Sequence, residues 1–387
     1  VGLSVGPNAV LALLIGQNSR DEINRTLHTV LTFGAALGAG LMLVGWLSAR
    51  PILVLSGTPE SVLDEALLYI FIYFLSIPFM VVYNFGAAVL RSYGDSRRPM
   101  YYLLLSGTVN VVLNLFLVIV MQLDVAGVAI ATVISNVLSA VMVITHLIRR
   151  DDDFAFRFRR MRIEKEPLLR ILQIGIPAGI QHMIFAVANL FIQVGINSFD
   201  STVVSGNSAA VNVDNVIYNV MAAFYTACST FMGQNWGAGK KDRMMKSYYI
   251  SLGYSFAIAA VLGAAFLLCG EPFLYIFTND ADVVAAGMER MRIMCFSYCV
   301  SAFMDCTIAA CRGLGRSFVP TVIVIMGSCV FRVIWVYTIF AMFHTLTSLY
   351  LLYIFSWALT AIGQMVYFFR AFRKQTAAWK TPQAAGA

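Results

Sequence analysis

Apolar residues run along this chain in stretches of 20 or more, separated by short polar breaks and nearly free of charge inside. About 20 such residues at 1.5 Å rise cross the hydrocarbon core of a bilayer, and a helix satisfies its own backbone groups there. The pattern predicts ten full spanning helices, over about 27–49, 67–90, 100–121, 125–148, 171–197, 203–232, 247–269, 285–311, 319–342 and 346–369. Residues 1–15 read as the tail of another. The period-2 alternation of a β-barrel is missing. The expected fold class is an all-α polytopic membrane protein.

Two words recur along this pattern. Arg-x-x-Gly-x-Ser-x-x-Pro is found as Arg91, Gly94, Ser96, Pro99 and again, at an offset of 221, as Arg312, Gly315, Ser317, Pro320. Gly16-Gln17-Asn18 recurs as Gly233-Gln234-Asn235, at an offset of 217. A weaker echo links Leu53, Pro59, Glu60 and Val62 with Leu274, Asp280, Ala281 and Val283. Such recurrence implies two copies of one unit, as in many transporters. The expected organisation is two pseudo-symmetric six-helix bundles, the first incomplete: a first lobe at 1–150, a linker at 151–166, a second lobe at 167–373 and a tail at 374–387. The first residue is Val1, and repeat arithmetic expects roughly fifty further residues ahead of it, for twelve spans in all. An even number of spans per unit makes this a parallel repeat.

Charge adds orientation. Only 12% of the 387 residues are charged, about half the share of a soluble domain. The net charge of +7 could suggest nucleic acid, but 23 of the 27 Lys and Arg lie on alternate loops, eight of them at 149–170. That asymmetry puts the basic loops, the linker and the C-terminus in the cytoplasm of a cell whose inner (plasma) membrane holds the chain. The opposite side counts only Arg50, Arg290 and Arg292, while Arg332 lies within a span. No basic patch interleaved with aromatics points to nucleic acid. The seven cysteines show no CxxC pair or metal-ligand spacing and read as small packing residues.

With these words in place, the chain resembles the multidrug and toxic compound extrusion (MATE) family. The resemblance rests on Leu90-Arg91-Ser92-Tyr93-Gly94-Asp95-Ser96 with Pro99, on Phe231-Met232-Gly233-Gln234-Asn235-Trp236-Gly237-Ala238-Gly239, and on Arg312-Gly313-Leu314-Gly315-x-Ser317. Gly175-Ile176-Pro177 and the pair Asn110 and Asn114 also fit. It covers nearly the whole chain. It implies two six-helix lobes in a V around a cavity, and export of organic cations or other amphiphiles against inward Na⁺ or H⁺. The first helix, where relatives often keep an ion-coupling carboxylate, is missing from this sequence, and the first Gly-Gln-Asn continues as Ser19-Arg20.

A charge at membrane depth costs about 2.5–3.5 kcal/mol, so it faces a cavity or a partner. Three residues qualify as ion-coupling candidates: Asp305, Asp214 and Arg332. Asp305 and Arg332 lie on consecutive spans and are expected to converge, either as a structural ion pair or with Asp305 as the cation site. Asp214 shares a helical stripe with Asn207, Tyr218, Met221 and Tyr225, which suits an amphiphilic cation unless Asp214 simply meets water at the outer end. His182, Asn189 and Gln193 form a second stripe with Gln181 alongside, and Asn84, Asn110 and Asn114 are neutral candidates in the first lobe. These line a cavity or bond helix to helix. Arg91 and Arg312 are expected to end helices beside Gly94 and Gly315, with Pro99 and Pro320 starting the next; gating is the other reading.

The expected activity is cation-coupled antiport of small amphiphiles by alternating access. A lipid-linked precursor flippase is the alternative, and it should carry more basic residues inside, where only Arg332 is counted. No nucleophile elbow, phosphate loop or metal cluster suggests an enzyme, so no catalytic residue, metal or cofactor is expected beyond the coupling ion. The expected partners are the bilayer and a small solute, with the chain a monomer.

Overall fold

The computed structural model describes residues 2–152 and 154–377; most of the expected tail lies outside them. They form helices α1 (Val5–Gly16), α2 (Arg20–Leu55), α3 (Glu60–Phe74), α4 (Ile77–Ser92), α5 (Arg97–Val120) and α6 (Asp124–Ile148). After the linker come α7 (Lys165–Ile196), α8 (Ser201–Gly237), α9 (Lys241–Leu268), α10 (Gly270–Leu274), α11 (Ala281–Gly313), α12 (Phe318–Phe343) and α13 (Leu346–Ala377). Contacts divide the chain into two compact units, one from Leu3 to Leu172 and one from Gln173 onward. The division falls inside α7, and the linker packs with the first unit.

Among the described residues nine spans are long and apolar enough to cross a membrane. The expected span at 203–232 is helical, as part of the 37-residue α8, but is not one of the nine. Asn207, Asn212, Asp214, Asn215 and Asn219 make it too polar to face lipid all round. It packs along α11 and α9 instead. Elsewhere the outer faces are apolar: Leu41, Leu43, Val44 and Leu47 on α2, and Leu103, Leu104, Val111 and Val112 on α5, are all exposed. Such belts have no place against water and match a bilayer.

The repeat is visible in the helix ends. Gly16 and Gly237 both end helices, at an offset of 221, as do Ser92 and Gly313. At the same offset Arg20 pairs with Lys241, Glu60 with Ala281 and Arg97 with Phe318 as helix starts. Left-handed residues follow suit, Asn18 (φ 56°) with Gly239 (φ 68°) and Gly94 (φ 96°) with Gly315 (φ 73°). The Gly-Gln-Asn echo, offset by 217, is therefore one helical turn out of register: Gly16 corresponds to Gly237, not Gly233.

At both copies of the arginine word the same turn closes the helix. The Gly94 amide donates to the Arg91 carbonyl (2.9 Å) and the Asp95 amide to that of Leu90 (3.1 Å). The Gly315 and Arg316 amides repeat this on Arg312 and Cys311, both at 2.9 Å. Nothing lies within 4 Å of a Cβ added at either glycine, so only backbone strain opposes a side chain there. Gly94→Ala and Gly315→Ala are each expected to cost about 1–2 kcal/mol, seen as similar falls in the melting temperature of the detergent-solubilised protein.

Candidate functional site

Within the second unit α11 is central, packed on α8, α9 and α13. Close approach with α8 is built on glycine: a Cβ on Gly206 would lie 2.5 Å from the Val283 carbonyl oxygen. This proximity lets one buried cation reach across. Arg290 of α11 donates from Nε (3.1 Å) and Nη2 (2.6 Å) to Asp214 Oδ2, and from Nη1 (2.8 Å) to Asn207 Oδ1. Tyr350 hydroxyl donates to the same Asn207 oxygen (3.4 Å), and the guanidinium stands over the Tyr350 and Tyr353 rings at 5.2 and 5.6 Å. Arg290 is 4% and Asp214 6% exposed, so the pair is out of water.

This corrects two expectations. Asp214 does not meet solvent at an outer end: it is buried and paired with Arg290. Arg290, counted with the loops of the outer side, lies inside α11, nine residues from its start and about 13 Å along its axis. A basic residue this far inside a span is visible in the sequence; its partner 76 positions earlier is not.

The expected convergence of Asp305 with Arg332 is also overturned. Among the described residues Arg332 makes no ion pair. Its Nη1 donates to Asn189 Oδ1 of α7 (3.2 Å) and its Nε to Ser356 Oγ of α13 (3.4 Å). Its guanidinium stacks over Tyr353 at 4.5 Å, Phe185 at 5.3 Å and Trp357 at 5.6 Å. The buried Nη2 has no hydrogen-bond partner. Consecutive spans are not the neighbours assumed: α12 packs chiefly on α13 and touches α11 little. Arg332 also stands between two π-helical turns, Ile325–Val330 and Val336–Phe340, a form of helix often found at functional sites.

Asp305 keeps a different company. Ser301, one turn earlier on α11, and Arg312, two turns later, are its polar neighbours, and Tyr218 and Tyr225 of α8 lie within its electrostatic reach. The Tyr225 hydroxyl donates to that of Tyr218 (3.2 Å). Met221, expected beside these rings, is fully buried in the apolar core. On the helix Met221 and Tyr218 fall to opposite sides of Asp214, so the edge of the packed face cuts the stripe.

The second stripe divides in the same way. Gln181 is buried and accepts from Arg312 Nη2 (3.0 Å). His182 is exposed, and Gln193 Nε2 donates to Asn197 Oδ1 (2.8 Å). Arg312 is itself 7% exposed, so it is drawn inward to α7 and does not reach into solvent as a simple helix-end cation. The Pro320 carbonyl accepts from Gln364 Nε2 at 2.5 Å. Asn235 Nδ2 donates to Phe231 O of its own helix (2.8 Å), and Gly233 is buried at the crossing with Gly313. Gln234 lies on the same stretch of α8.

In the first unit Asn110 Nδ2 donates to Ser135 Oγ of α6 (3.2 Å) and Asn114 Nδ2 to Asn110 Oδ1 (3.0 Å). The first bond joins α5 to α6, and the second stays within α5. Asn84 donates to the Met80 carbonyl of its own turn (2.8 Å), and the Pro99 carbonyl accepts from the Tyr83 hydroxyl (2.8 Å). Arg91 Nε is buried without a partner. Among the described residues no group of three or more His, Cys, Asp or Glu could hold a metal, and five of the seven cysteines are buried.

Comparison with known proteins agrees with this architecture. The MatE family model matches residues 1–116 and 177–338. The probable multidrug resistance protein YoeA of Bacillus subtilis (strain 168) is 26% identical over 84% of this chain and 72% of its own length. YpnP, a second probable multidrug resistance protein of that strain, is 30% identical over 75% of this chain and 66% of its own. A solved outward-facing multidrug resistance MATE family transporter of the MOP superfamily superimposes with a TM-score of 0.90. At 20% identity it covers 97% of this chain and 84% of that one, and so shares the fold. The family model spans well over half of the residues, and on that ground the chain belongs to the MatE family.

Proposed function

We propose that this MatE-family chain exports a small amphiphilic molecule across the inner membrane in exchange for Na⁺ or H⁺, its solute site opening to one side and then the other. The observation that carries the coupling is the unequal state of two carboxylates. Asp214 is held by Arg290, whereas Asp305 makes no ion pair among the described residues. A carboxylate at membrane depth outside any ion pair is the group whose charge an arriving proton or Na⁺ can cancel. Tyr218 and Tyr225 beside it supply aromatic surface for an amphiphile.

A second reading concerns the solute's charge. The interior holds Arg290, Arg312 and Arg332, all at most 7% exposed, against Asp214 and Asp305. The unpaired guanidinium of Arg332, with its aromatic walls and free Nη2, favours an amphiphile bearing an anionic group over a bare organic cation.

The experiment uses proteoliposomes loaded with a cationic or an anionic fluorescent amphiphile under an imposed Na⁺ or H⁺ gradient. Wild type is expected to move dye with one gradient, and Asp305→Asn to lose most of that gradient-driven part. Unchanged driven transport in Asp305→Asn removes this carboxylate from the ion path. Preference for the cationic dye removes the second reading alone.

A further inference from the structure

The linker between α6 and α7 is pinned to the first unit. Phe154, Ala155 and Phe156 turn inward and are buried, Phe154 against Tyr93 (4.6 Å) and Phe156 against His28 (5.4 Å). The Tyr93 hydroxyl, which accepts from Arg150 Nη1, has its pKa pushed up to about 12 by burial. The Arg157 amide donates to His28 Nε2 (3.1 Å), while His28 Nδ1 lies 2.8 Å from the Asn24 carbonyl. Seven residues on, the Glu164 amide donates to Thr29 Oγ1 (3.2 Å). The Glu164 carboxylate sits between Arg25 and Arg162, and their hydrogen bonds and charge hold its pKa below the usual range.

Between these anchors the polarity reverses. Phe158, Met161 and Ile163 are 63%, 42% and 46% exposed, and they alternate with Arg159, Arg160 and Arg162. Beside Met161 opens a cavity of about 1180 Å³, walled by Arg20, Arg25, Arg157, Arg159, Arg160 and Arg162. Among the described residues the acidic groups on its lining are fewer: Asp21, Asp151 and Asp152, with Asp151 3.8 Å from Arg157 and Asp152 engaged by Arg150. Among the described residues Arg159 and Arg160 form no ion pair. The cavity stands where α2 begins, α6 ends and α7 begins, three helices of membrane-crossing length, so it lies at the level where hydrocarbon gives way to headgroups.

We infer that this cavity binds the headgroup of an acidic phospholipid from the leaflet on the basic-loop side, a reading independent of the transport proposal. Two independent features converge on a lipid. The arginines offer forked donors and charge to phosphate oxygens. The exposed Phe158, Met161 and Ile163 between them gain nothing from a dissolved anion but fit the acyl boundary of the same leaflet. The buried Phe154 and Phe156 hold the arginines in place, so the site is formed before the lipid arrives.

The test is hydrogen exchange of the 157–164 amides in the full chain, reconstituted in nanodiscs of phosphatidylcholine alone or with added phosphatidylglycerol or cardiolipin. Acidic lipid is expected to slow exchange about tenfold or more, equivalent to 1.4 kcal/mol of added protection. Arg159→Gln/Arg160→Gln/Arg162→Gln, at exposed positions that leave the core intact, is expected to abolish the slowing while the α4 amides keep wild-type protection. Equal exchange in neutral and acidic discs overturns the inference. So does slowing that survives in the triple variant, or slowing produced in neutral discs by inorganic phosphate or ATP, which would assign the cavity to a dissolved anion.

Discussion

Arg290→Met is expected to destabilise the second unit by about 3–5 kcal/mol, because it strands the Asp214 carboxylate in an apolar interior. Wild-type Asp214 has its charge met by two donors of one guanidinium, while the third bonds Asn207. A methionine fills the space and answers none of these acceptors. Lysine keeps the charge as a single point and cannot span Asp214 and Asn207 with the same planar fork, so Arg290→Lys should fall between. The double variant Asp214→Leu/Arg290→Met removes both charges and should recover most of the loss, since a buried pair replaced by apolar groups is often near neutral. Thermal unfolding of the four proteins in one detergent gives the cycle. An Arg290→Met protein that melts with wild type would show the pair to be of no structural consequence. Any loss of transport in an Asp214 variant has to be corrected for surviving folded protein before it speaks about ion coupling.

Gly206→Ala should cost about 1–3 kcal/mol or more, from overpacking. Its added methyl would sit 2.5 Å from the Val283 carbonyl oxygen and 2.8 Å from the Gly287 amide nitrogen. Both are backbone atoms of α11, so no side chain can turn aside and the two helices must part. Parting would loosen the Arg290 bonds a turn away, which adds to the loss. Gly253 of α9 is the contrast: it is exposed, with nothing within 4 Å of its missing Cβ. Gly253→Ala should leave stability unchanged or raise it by up to about 1 kcal/mol through helix propensity. Two alanines with opposite signs, read as melting temperatures, separate helix crossing from any general intolerance of glycine replacement. A small effect at Gly206 equal to that at Gly253 would deny the close approach.

Much of the fold was readable along the chain, since lipid imposes a one-dimensional rule: a span must be apolar for about 20 residues. That rule located nine spans, with ends displaced by up to eight residues, and repetition of the arginine word located the register of 221 that the helix ends share. It served less well for α8, where neighbouring helices cover Asn207 and Asp214 while Asn212, Asn215 and Asn219 stay exposed. The Gly-Gln-Asn echo failed for a related reason. Three residues can recur by chance, here once at the end of α1 and once a turn before the end of α8, whereas a left-handed residue closing a helix cannot slide.

The sequence alone determined that this is a doubled helical membrane chain with its basic loops on one side, because periodicity, hydropathy and loop charge are local properties of consecutive residues. Only the tertiary structure decided who meets whom: Asp214 with Arg290, Gln181 with Arg312, Asn189 with Arg332, and Asp305 near Arg312 but in no ion pair among the described residues. Those partners are 76, 131 and 143 positions apart where they exist. Helices consecutive in sequence need not be neighbours in a bundle, so the electrostatic pairing of buried charges is set by which faces pack and not by the order of the spans.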